Sequence, residues 1–195
     1  MARNKIISSK EAIIDTSLNI INEEGVNSLS IRKIASRMNV SSMTLYNYVE
    51  NVDDIKKEVV IEGFRKLYKE SYCALLSVKK HDGSIHMREG CIDLARVLFK
   101  FGCEYHGLFQ LMFCSSDGKF RNDAEILPFY GYFANLLRRK GTGRNAADHN
   151  RTLQMLDHIA KNLILERIQG VHAYTAEEYE AYIEVFVSKM FDNEK

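Results

Sequence analysis

Apolar side chains recur along this chain at intervals of three and four residues, which is the period of an α-helix. No segment of strand length alternates strictly between apolar and polar residues, and the 195 residues include a single proline. The pattern therefore predicts an all-α fold. Its first helix runs to Glu24, with Ser8 or Ser9 as the N-terminal cap and Gly25 as the left-handed residue that ends it.

The segment from Leu29 to Asp54 predicts two short helices joined by a tight turn. Ser30 suits the cap of the first, because its hydroxyl can accept a hydrogen bond from a free N–H of the first turn. Asn39 tolerates the left-handed backbone that ends such a helix, and Ser41 or Ser42 caps the second. The inward positions are Ile31, Ile34, Ala35 and Met38 in the first helix and Leu45 and Val49 in the second. This arrangement is typical of a DNA-binding helix-turn-helix, the alternative being a helix-turn-helix used only for packing.

The outward-facing residues of this segment form a candidate DNA-contacting set. Arg32 precedes the turn, within reach of a guanine edge or a phosphate. Ser42 and Thr44 present hydroxyls to base edges or phosphates, and Met43 offers apolar contact to a thymine methyl group. The two tyrosines are expected to meet phosphates, and the asparagine to add a backbone contact. The complete predicted set is Arg32, Ser42, Met43, Thr44, Tyr46, Asn47 and Tyr48.

This segment resembles the DNA-binding domain of the Tet repressor (TetR) family of bacterial regulators. The resemblance covers about residues 10–60. It is carried by Ile34-Ala35, Val40-Ser41, Thr44-Leu45-Tyr46, Tyr48-Val49 and Asn51 with Asp53, and upstream by Ile13 and Gly25-Val26. It implies a dimeric regulator with an N-terminal DNA-binding domain and a C-terminal domain for effector binding and dimerisation. In place of Val52 the family usually has a lysine that meets a DNA phosphate, so one backbone contact is missing from the pattern.

The predicted fourth helix opens with Asp53 and Asp54, whose charges suit the N-terminal end of the helix dipole. Its apolar stripe continues well beyond the helix-turn-helix, with no glycine or proline linker. We predict a DNA-binding domain at residues 1–57 and an effector-binding and dimerisation domain at residues 58–195. A long helix shared by the two could transmit a tilt from one to the other.

The last two predicted helices, at about Asp148–Ile168 and Thr175–Phe191, each carry an apolar stripe. Thr175 with Glu178 forms a capping box at the start of the final helix. Two such helices can pair with their copies in a second chain as a four-helix bundle, and the resemblance implies that dimers form there. The alternative is packing against their own chain only. The predicted dimer contacts are Leu156, Leu163, Ile164, Tyr179, Ile183 and Phe186.

Aromatic side chains are concentrated in the middle of the chain. Pro128 is predicted to start or kink a helix that carries Phe129 and ends in Arg138-Arg139-Lys140-Gly141. Most aromatic stripes are ordinary core, but some of these residues could line an apolar cavity in which tyrosine hydroxyls orient a ligand. The resemblance implies an effector pocket enclosed by helices four to eight. The candidate lining residues are Phe64, Tyr68, Phe101, Phe109, Phe113, Phe129, Phe133 and Met155.

The net charge of +1 divides unevenly along the chain. Residues 1–80 carry +3 and residues 81–195 carry −2, which is the sign expected for an N-terminal DNA-binding half. No apolar run approaches the ~20 residues needed to span a bilayer, and no signal peptide is recognisable. We therefore expect a cytoplasmic protein. Its widely spaced cysteines, Cys73, Cys91, Cys103 and Cys114, are expected to be reduced, buried thiols.

The sequence was also searched for metal or thiol sites and for enzyme motifs. Cys103 and His106, with His86 and Cys91 possibly nearby, suggest a soft-metal or haem site or a redox-sensing thiol. No second Cys/His pair has ligand spacing, so neither a metal nor any other cofactor is predicted. No phosphate-binding glycine loop, Gly-x-Ser-x-Gly or His-Glu-x-x-His motif is found, and the chain is not expected to be an enzyme.

Together these features predict a ligand-responsive transcriptional repressor. It would bind a palindromic operator in double-stranded DNA as a homodimer and be released by a small apolar or aromatic effector. The alternative is an adaptor with the same fold that binds a protein partner instead of DNA. Val52 and the weak positive charge of the N-terminal half keep that alternative open.

Overall fold

The chain folds as a series of helices with short connections. A computed structural model describes residues 9–77, 87–114, 120, 122–137 and 144–192. The helices are α1 Lys10–Glu24, α2 Ile31–Arg37, α3 Ser42–Leu45, α4 Val52–Ser77, α5 Met87–Glu104, α6 His106–Phe113, α7 Tyr132–Leu137, α8 Arg144–Ile168 and α9 Ala176–Asp192, with 3₁₀ turns at Val26–Ser28 and Leu127–Phe129. Those residues include no strand, and the predicted all-α fold is confirmed.

Serine hydroxyls cap the first three helices. Ser9 Oγ accepts from Ala12 N at 3.2 Å, and Ser30 Oγ accepts from Lys33 N at 3.2 Å. Ser41 Oγ accepts from Thr44 N at 3.3 Å, so Ser41 rather than Ser42 begins α3. Each serine satisfies one of the backbone donors that a helix leaves free at its start. These start positions were predictable because the cap and its partner lie three residues apart.

The turn between α2 and α3 has the backbone that the sequence predicts. Asn39 has a φ of 54°, in the left-handed region. Val40 N then donates to Ala35 O at 3.0 Å, which closes the end of α2. Asparagine is one of the few residues that adopts this conformation at low cost. This left-handed residue ends α2 and begins the turn that leads to α3.

A reciprocal capping arrangement begins α4. Asn51 Oδ1 accepts from Asp53 N at 2.8 Å and from Asp54 N at 3.1 Å. Asp54 Oδ2 reaches back and accepts from Glu50 N at 3.1 Å and Asn51 N at 3.2 Å. From this start α4 continues for 26 residues to Ser77. The prediction of one long fourth helix is therefore confirmed.

The chain packs as two compact units. The first contains the residues up to Gly63 together with Tyr105–Phe120, and the second contains Phe64–Glu104 and the residues from Arg121 onward. The helix α4 contributes to both units, and α6 packs against α1 in the first. The functional division predicted between residues 57 and 58 stays a prediction, and the sequence gave no sign that α6 joins the N-terminal unit.

The contact between α6 and α1 is close because Gly107 has no side chain. A Cβ atom at that position would lie 2.2 Å from Ile21 O. Leu108 N donates to Asn22 Oδ1 at 3.4 Å, which aligns the start of α6 with the end of α1. A second glycine, Gly63 of α4, faces Leu108 from another side. Gly107 thus lets α6 approach the backbone of α1, and Gly63 leaves room for the side chains of Leu108 and Met112.

In the second unit α5 is the central helix and packs against α8 and α9. Its Leu94, Leu98 and Phe101 are fully buried. The ring of Phe99 lies 4.6 Å from that of Tyr179 in α9, measured between centroids. These buried side chains place α5 in the core of the second unit.

The prediction for the helix around Pro128 was wrong. Pro128 lies in the 3₁₀ turn Leu127–Phe129, and α7 does not begin until Tyr132. Between them Gly131 adopts a φ of 91°, which an α-helix does not allow. The Asn135 amide donates to Pro128 O at 2.6 Å and holds the turn beside α7. As a result, Phe129 belongs to a non-helical segment.

Most of the predicted dimer contacts prove to be buried within their own chain. Leu156 and Ile164 of α8, and Tyr179 and Ile183 of α9, are at most 1% exposed. These four residues fill the core against α5 and cannot meet a partner chain without unfolding, which corrects the prediction. Leu163 and Phe186 are only half-buried and remain candidates.

Candidate functional site

The second helix of the helix-turn-helix, α3, is short and presents its side chains in two directions. Leu45 and Val49 are buried, as predicted, and hold the segment to the first unit. On the outside, Met43 is 74% exposed, and Tyr46 and Tyr48 are also exposed. The predicted division into inward and outward positions therefore matches the structure, whereas contact with DNA stays a prediction.

The polar members of the predicted DNA-contacting set differ in how free their side chains are. Thr44 Oγ1 lies 3.0 Å from Ser41 Oγ, so its hydroxyl is oriented by the cap of its own helix. Ser42 is half-buried, while Asn47 at the end of the segment and Arg32 on α2 are exposed. The structure brings six of the seven residues together on α3 and the turn after it, with Arg32 on the preceding helix.

Ion pairs fix α2 against α1. Arg37 Nη2 lies 2.8 Å from Glu23 Oε2 and 2.9 Å from Glu24 Oε1, and Lys33 Nζ bonds the other Glu24 oxygen. The Lys33 ammonium is the largest cause that lowers the pKa of Glu24, followed by Arg37. These cations are therefore engaged with acidic partners, and the sequence alone did not distinguish them from cations available to DNA.

An open groove of about 500 Å³ lies beside the predicted phosphate-contacting residues. Its lining is Lys10, Tyr46, Asn47, Tyr48, Val49, Glu50, Asp54, Lys57 and Glu58. Lys10 Nζ lies 2.5 Å from Glu58 Oε1, so one cation of the groove is paired with one of its acids. Sequence analysis missed this groove because it joins the start of α1 to α4, far apart in the chain. Its mixed charges give no general attraction for phosphate.

Val52 is the first residue of α4 and is half-buried. The nearest basic residue one turn later is Lys56, whose Nζ lies 3.9 Å from Asp53 Oδ1. The start of α4 thus offers an apolar side chain followed by two acids. Asn51 Oδ1 already accepts from the N–H groups of Asp53 and Asp54, so residue 52 adds neither a cation nor free donors for a phosphate.

The predicted effector-pocket residues are divided between the two units. Phe109 and Phe113 belong to α6 in the first unit, with ring centroids 4.7 Å apart. In the second unit, Phe129 stacks on Phe64 at 5.2 Å and meets Tyr68 edge-on at 5.6 Å. Phe64 and Phe109 are fully buried, whereas Tyr68, Phe113 and Phe129 are half-buried.

Three further predicted lining residues lie in the second unit. Phe101 and Phe133 are fully buried, and the Phe133 ring lies edge-on to Tyr132 at 5.2 Å. Met155 is 56% exposed on α8, which corrects its assignment to an internal pocket. Its position on the outward side of the helix, one residue before the buried Leu156, is the physical reason.

Polar side chains that sequence analysis did not single out lie in the interior of the second unit. The Tyr132 hydroxyl lies 2.5 Å from Ser71 Oγ and 3.3 Å from Leu94 O. Asp157 Oδ2 accepts from Lys161 Nζ at 2.6 Å, and both residues are buried. The signal was present, since Asp157 and Lys161 interrupt the apolar stripe of α8 on its inward side.

The described part of the chain contains most of the residues considered for metal or thiol chemistry. Within the described residues, no three His, Cys, Asp or Glu side chains are grouped so as to hold a metal ion, and His86 lies outside them. All four cysteines are free thiols, and burial raises the pKa of Cys91 to about 12. Cys73, Cys103 and Cys114 are exposed, so the expectation of buried thiols was correct only for Cys91. Over the same part of the chain, no helix has the length and apolar character to cross a bilayer.

Sequence comparison with known proteins finds matches in the N-terminal part of the chain. Residues 13–55, from α1 to the first turn of α4, match the family model described as bacterial regulatory proteins, tetR family. An uncharacterized HTH-type transcriptional regulator, YobS of Bacillus subtilis strain 168, is 25% identical over 87 residues. That match spans 45% of this chain and 46% of YobS, so it reaches slightly less than half of each protein.

Solved structures resemble the fold over nearly its full length. The fatty acid degradation regulator FadR from Bacillus halodurans superposes with a TM-score of 0.67 at 19% identity, covering 97% of this chain and 96% of FadR. A TetR variant from Acinetobacter baumannii AYE in complex with minocycline gives 0.66 at 15% identity, covering 96% and 98%. At these identities the likeness establishes the fold and leaves the ligand open. Residues 13–55, which contain the helix-turn-helix, are thus similar to the tetR family of bacterial regulatory proteins, whereas the rest of the chain resembles the solved structures in fold alone.

Proposed function

We propose that this protein is a transcriptional repressor that binds a palindromic operator as a homodimer and releases it when a small effector binds. The observation that carries the proposal is the division of the side chains of α3 and the turn after it: Leu45 and Val49 are buried and anchor the segment, while Met43, Tyr46 and Tyr48 are exposed. An exposed helix held in this way can enter the major groove of DNA. The family match of residues 13–55 supports the same reading.

The roles of the outward side chains follow from their chemistry. Thr44 and Ser42 are suited to base edges or phosphates, and Met43 to a thymine methyl group. Tyr46 and Tyr48, beyond the end of α3, are suited to phosphate contacts that position the helix. Because the net charge is only +1, specific contacts have to supply more of the binding than bulk attraction does.

The proposed homodimer uses the outward face of α8 and α9. Met155 on α8 is 56% exposed and Val185 on α9 is 58% exposed, and Tyr182 is also exposed. Leu163 and Phe186 are half-buried beside them. Large apolar side chains grouped on two neighbouring helices are typical of a surface that a partner covers. A twofold dimer through this face would match a palindromic operator.

The proposed effector site lies in the second unit. Its aromatic side chains, including Phe64, Tyr68 and Phe129, offer apolar surface, and tyrosine hydroxyls offer orientation. The structurally similar TetR variant is in complex with minocycline, which supports a small molecule as the effector class here. A long α4 that contributes to both units supports a response of the DNA-binding surface to the effector.

An electrophoretic mobility shift with the DNA that flanks the protein's own gene tests this function. We expect a salt-sensitive, sequence-selective shift. Replacing Tyr46 with Phe or Thr44 with Ala should weaken operator binding by about 1–3 kcal/mol each without unfolding the chain. The matched control is Tyr72→Phe, an exposed tyrosine on α4 in the second unit. If both variants bind like the wild type, the assignment of α3 as the reading helix fails.

A second candidate function is an adaptor that binds a protein. The groove beside α3 favours it, because its lining holds three acids and two lysines, and Val52 adds no positive charge. A wild-type protein that shifts neither operator nor random DNA, at any salt concentration, would favour the adaptor. A selective shift that disappears at high salt would exclude it.

A further inference from the structure

The groove beside α3 contains an ion pair between two distant parts of the chain. Lys10, the first residue of α1, has its Nζ 2.5 Å from Oε1 of Glu58, which lies on α4. The two residues are 48 positions apart in the sequence, and both line the groove. All the lining residues belong to the first unit. In the free protein a cation of this groove is therefore paired with a carboxylate of the same chain.

The ion pair is accessible to solvent. The Lys10 side chain is 47% exposed, and that of Glu58 is 29% exposed. Exposed ion pairs are screened by water and restrict two long side chains, so most of them contribute little to stability. Another anion can therefore reach Lys10 and replace Glu58 there without disturbing the fold.

The neighbouring side chains of the groove indicate which anion fits. Tyr46, Asn47 and Tyr48, which follow α3, are exposed and line the same groove. The two tyrosines each offer a hydroxyl, and the asparagine offers an amide. Hydroxyl and amide donors beside a lysine are typical partners of DNA phosphates. Since these three residues belong to the segment proposed to face DNA, a DNA backbone that meets them also lies at the edge of the groove.

Two acids of the groove are engaged in different ways. Asp54 Oδ2 accepts from Glu50 N at 3.1 Å and from Asn51 N at 3.2 Å, so its carboxylate is part of the cap of α4. The Glu58 carboxylate instead bonds the Lys10 ammonium, which a phosphate could also bind. A carboxylate and a phosphate bind an ammonium group through the same kind of charge-assisted hydrogen bond. The two anions therefore compete for Lys10.

We propose that the groove is an additional binding site for the DNA backbone, in which Glu58 competes with a phosphate for Lys10. When DNA binds, Lys10 Nζ exchanges the Glu58 carboxylate for a phosphate oxygen. Glu58 thereby lowers the affinity of the wild type for duplex DNA. Because phosphates carry no sequence information, the effect is the same on operator and random DNA and leaves selectivity to α3. The inference rests on the proposed function, since it adds a contact to the DNA-binding surface.

A double-mutant cycle on the full chain tests the competition. The affinity for a fluorescently labelled duplex of arbitrary sequence is measured by anisotropy at low salt, where exposed charges are least screened. We expect Glu58→Gln to tighten binding by about threefold per subunit, or about tenfold for a dimer, which is the size of an exposed ion pair. Lys10→Gln should weaken binding. In the Lys10→Gln background, Glu58→Gln should lose most of its effect, because the cation for which it competes is absent.

The matched control is Glu11→Gln, which removes the same charge from the exposed residue next to Lys10 and lies outside the lining of the groove. It measures the gain from weaker general repulsion of DNA, which should be less than threefold for a dimer. A gain from Glu58→Gln no larger than that of the control would overturn the proposal. An equal gain with and without Lys10 would also overturn it, because Glu58 would then act by general repulsion.

The melting temperature of each variant shows whether the ion pair serves the fold instead. We expect all variants to stay within about 2 °C of the wild type. A large fall in both Glu58→Gln and Lys10→Gln with unchanged DNA binding would mean that the pair only joins α1 to α4, and would overturn the proposal. The proposed function fails separately, if the wild type does not prefer the DNA that flanks its own gene to random DNA. The cycle does not need that preference, and absence of duplex binding by both the wild type and Glu58→Gln would contradict the groove as a backbone site.

Discussion

Replacing Gly107 with alanine should destabilise the first unit by an amount that the structure predicts. The new Cβ would lie 2.2 Å from Ile21 O and 2.9 Å from Ile21 C, well inside normal contact distance. Both atoms belong to the backbone of α1, and Ile21 itself is fully buried, so neither can rotate away. Relief requires α6 to move from α1 by about 1 Å, and overpacking of a tight core costs about 1–3 kcal/mol or more.

Alanine stabilises a helix relative to glycine, but this stabilisation only partly offsets the cost of overpacking. Gly→Ala in a helix interior contributes about 0.5–1 kcal/mol, so we expect a net loss of about 2 kcal/mol for Gly107→Ala. In a chain of 195 residues that corresponds to a fall in melting temperature of about 4–8 °C. Guanidinium unfolding followed by helical circular dichroism measures the free energy, and a thermal scan measures the shift.

Gly63→Ala is the matched control in the same unit. Its Cβ would meet Met112 Sδ at 2.8 Å and the Leu108 methyl groups at 3.1 Å. Those atoms are the far ends of flexible side chains and can move, so the helix gain should cancel the strain to within about 0.5 kcal/mol. If Gly107→Ala is as stable as Gly63→Ala, the close packing of α6 on α1 is refuted.

Two further variants test the proposed interfaces. Val52→Lys should add one phosphate contact per subunit. For a dimer, the slope of log affinity against log salt concentration should steepen by about 1.8 on operator and random DNA alike. An unchanged slope would mean that residue 52 faces away from DNA. Leu163→Glu with Val185→Glu should give folded monomers by light scattering, because both charges would be buried in the proposed dimer. A dimer of unchanged mass would contradict the assignment of this face as the dimer interface. By contrast, Ile164→Glu should unfold the chain, because Ile164 is buried in its own core.

Local features of the fold were predictable from the sequence because their causes lie within a few residues. The caps at Ser30 and Ser41, the left-handed Asn39 and the inward Leu45 each depend on neighbours one turn away. The packing of Gly107 on α1 was not predictable in this way. Its partner is distant in the sequence, and no periodicity records which helices meet.

Four of the six residues predicted as dimer contacts proved to be buried in their own chain for a related reason, whereas the dimer itself stays a prediction. The helix α8 has apolar residues on two adjacent sides, with Leu156 and Ile164 inward and Met155 outward. Helical periodicity identifies such sides but does not tell which of them the chain's own α5 will cover. For the interior of the second unit, Asp157 was visible as a polar residue in an apolar stripe, but its unmet oxygen could be recognised only once its surroundings were known.

The discontinuous first unit limits how this chain can be recombined with proteins of similar fold. The chain leaves that unit after Gly63 and supplies its last helix only at α6, so a fragment ending at residue 63 lacks Leu108 and Met112. A hybrid made by exchanging the N-terminal residues alone would set a foreign α1 against the native α6, where the fit of Ile21 to Gly107 leaves no room for a methyl group. The exchangeable module is therefore the N-terminal segment together with α6, and a functional chimaera must transfer both.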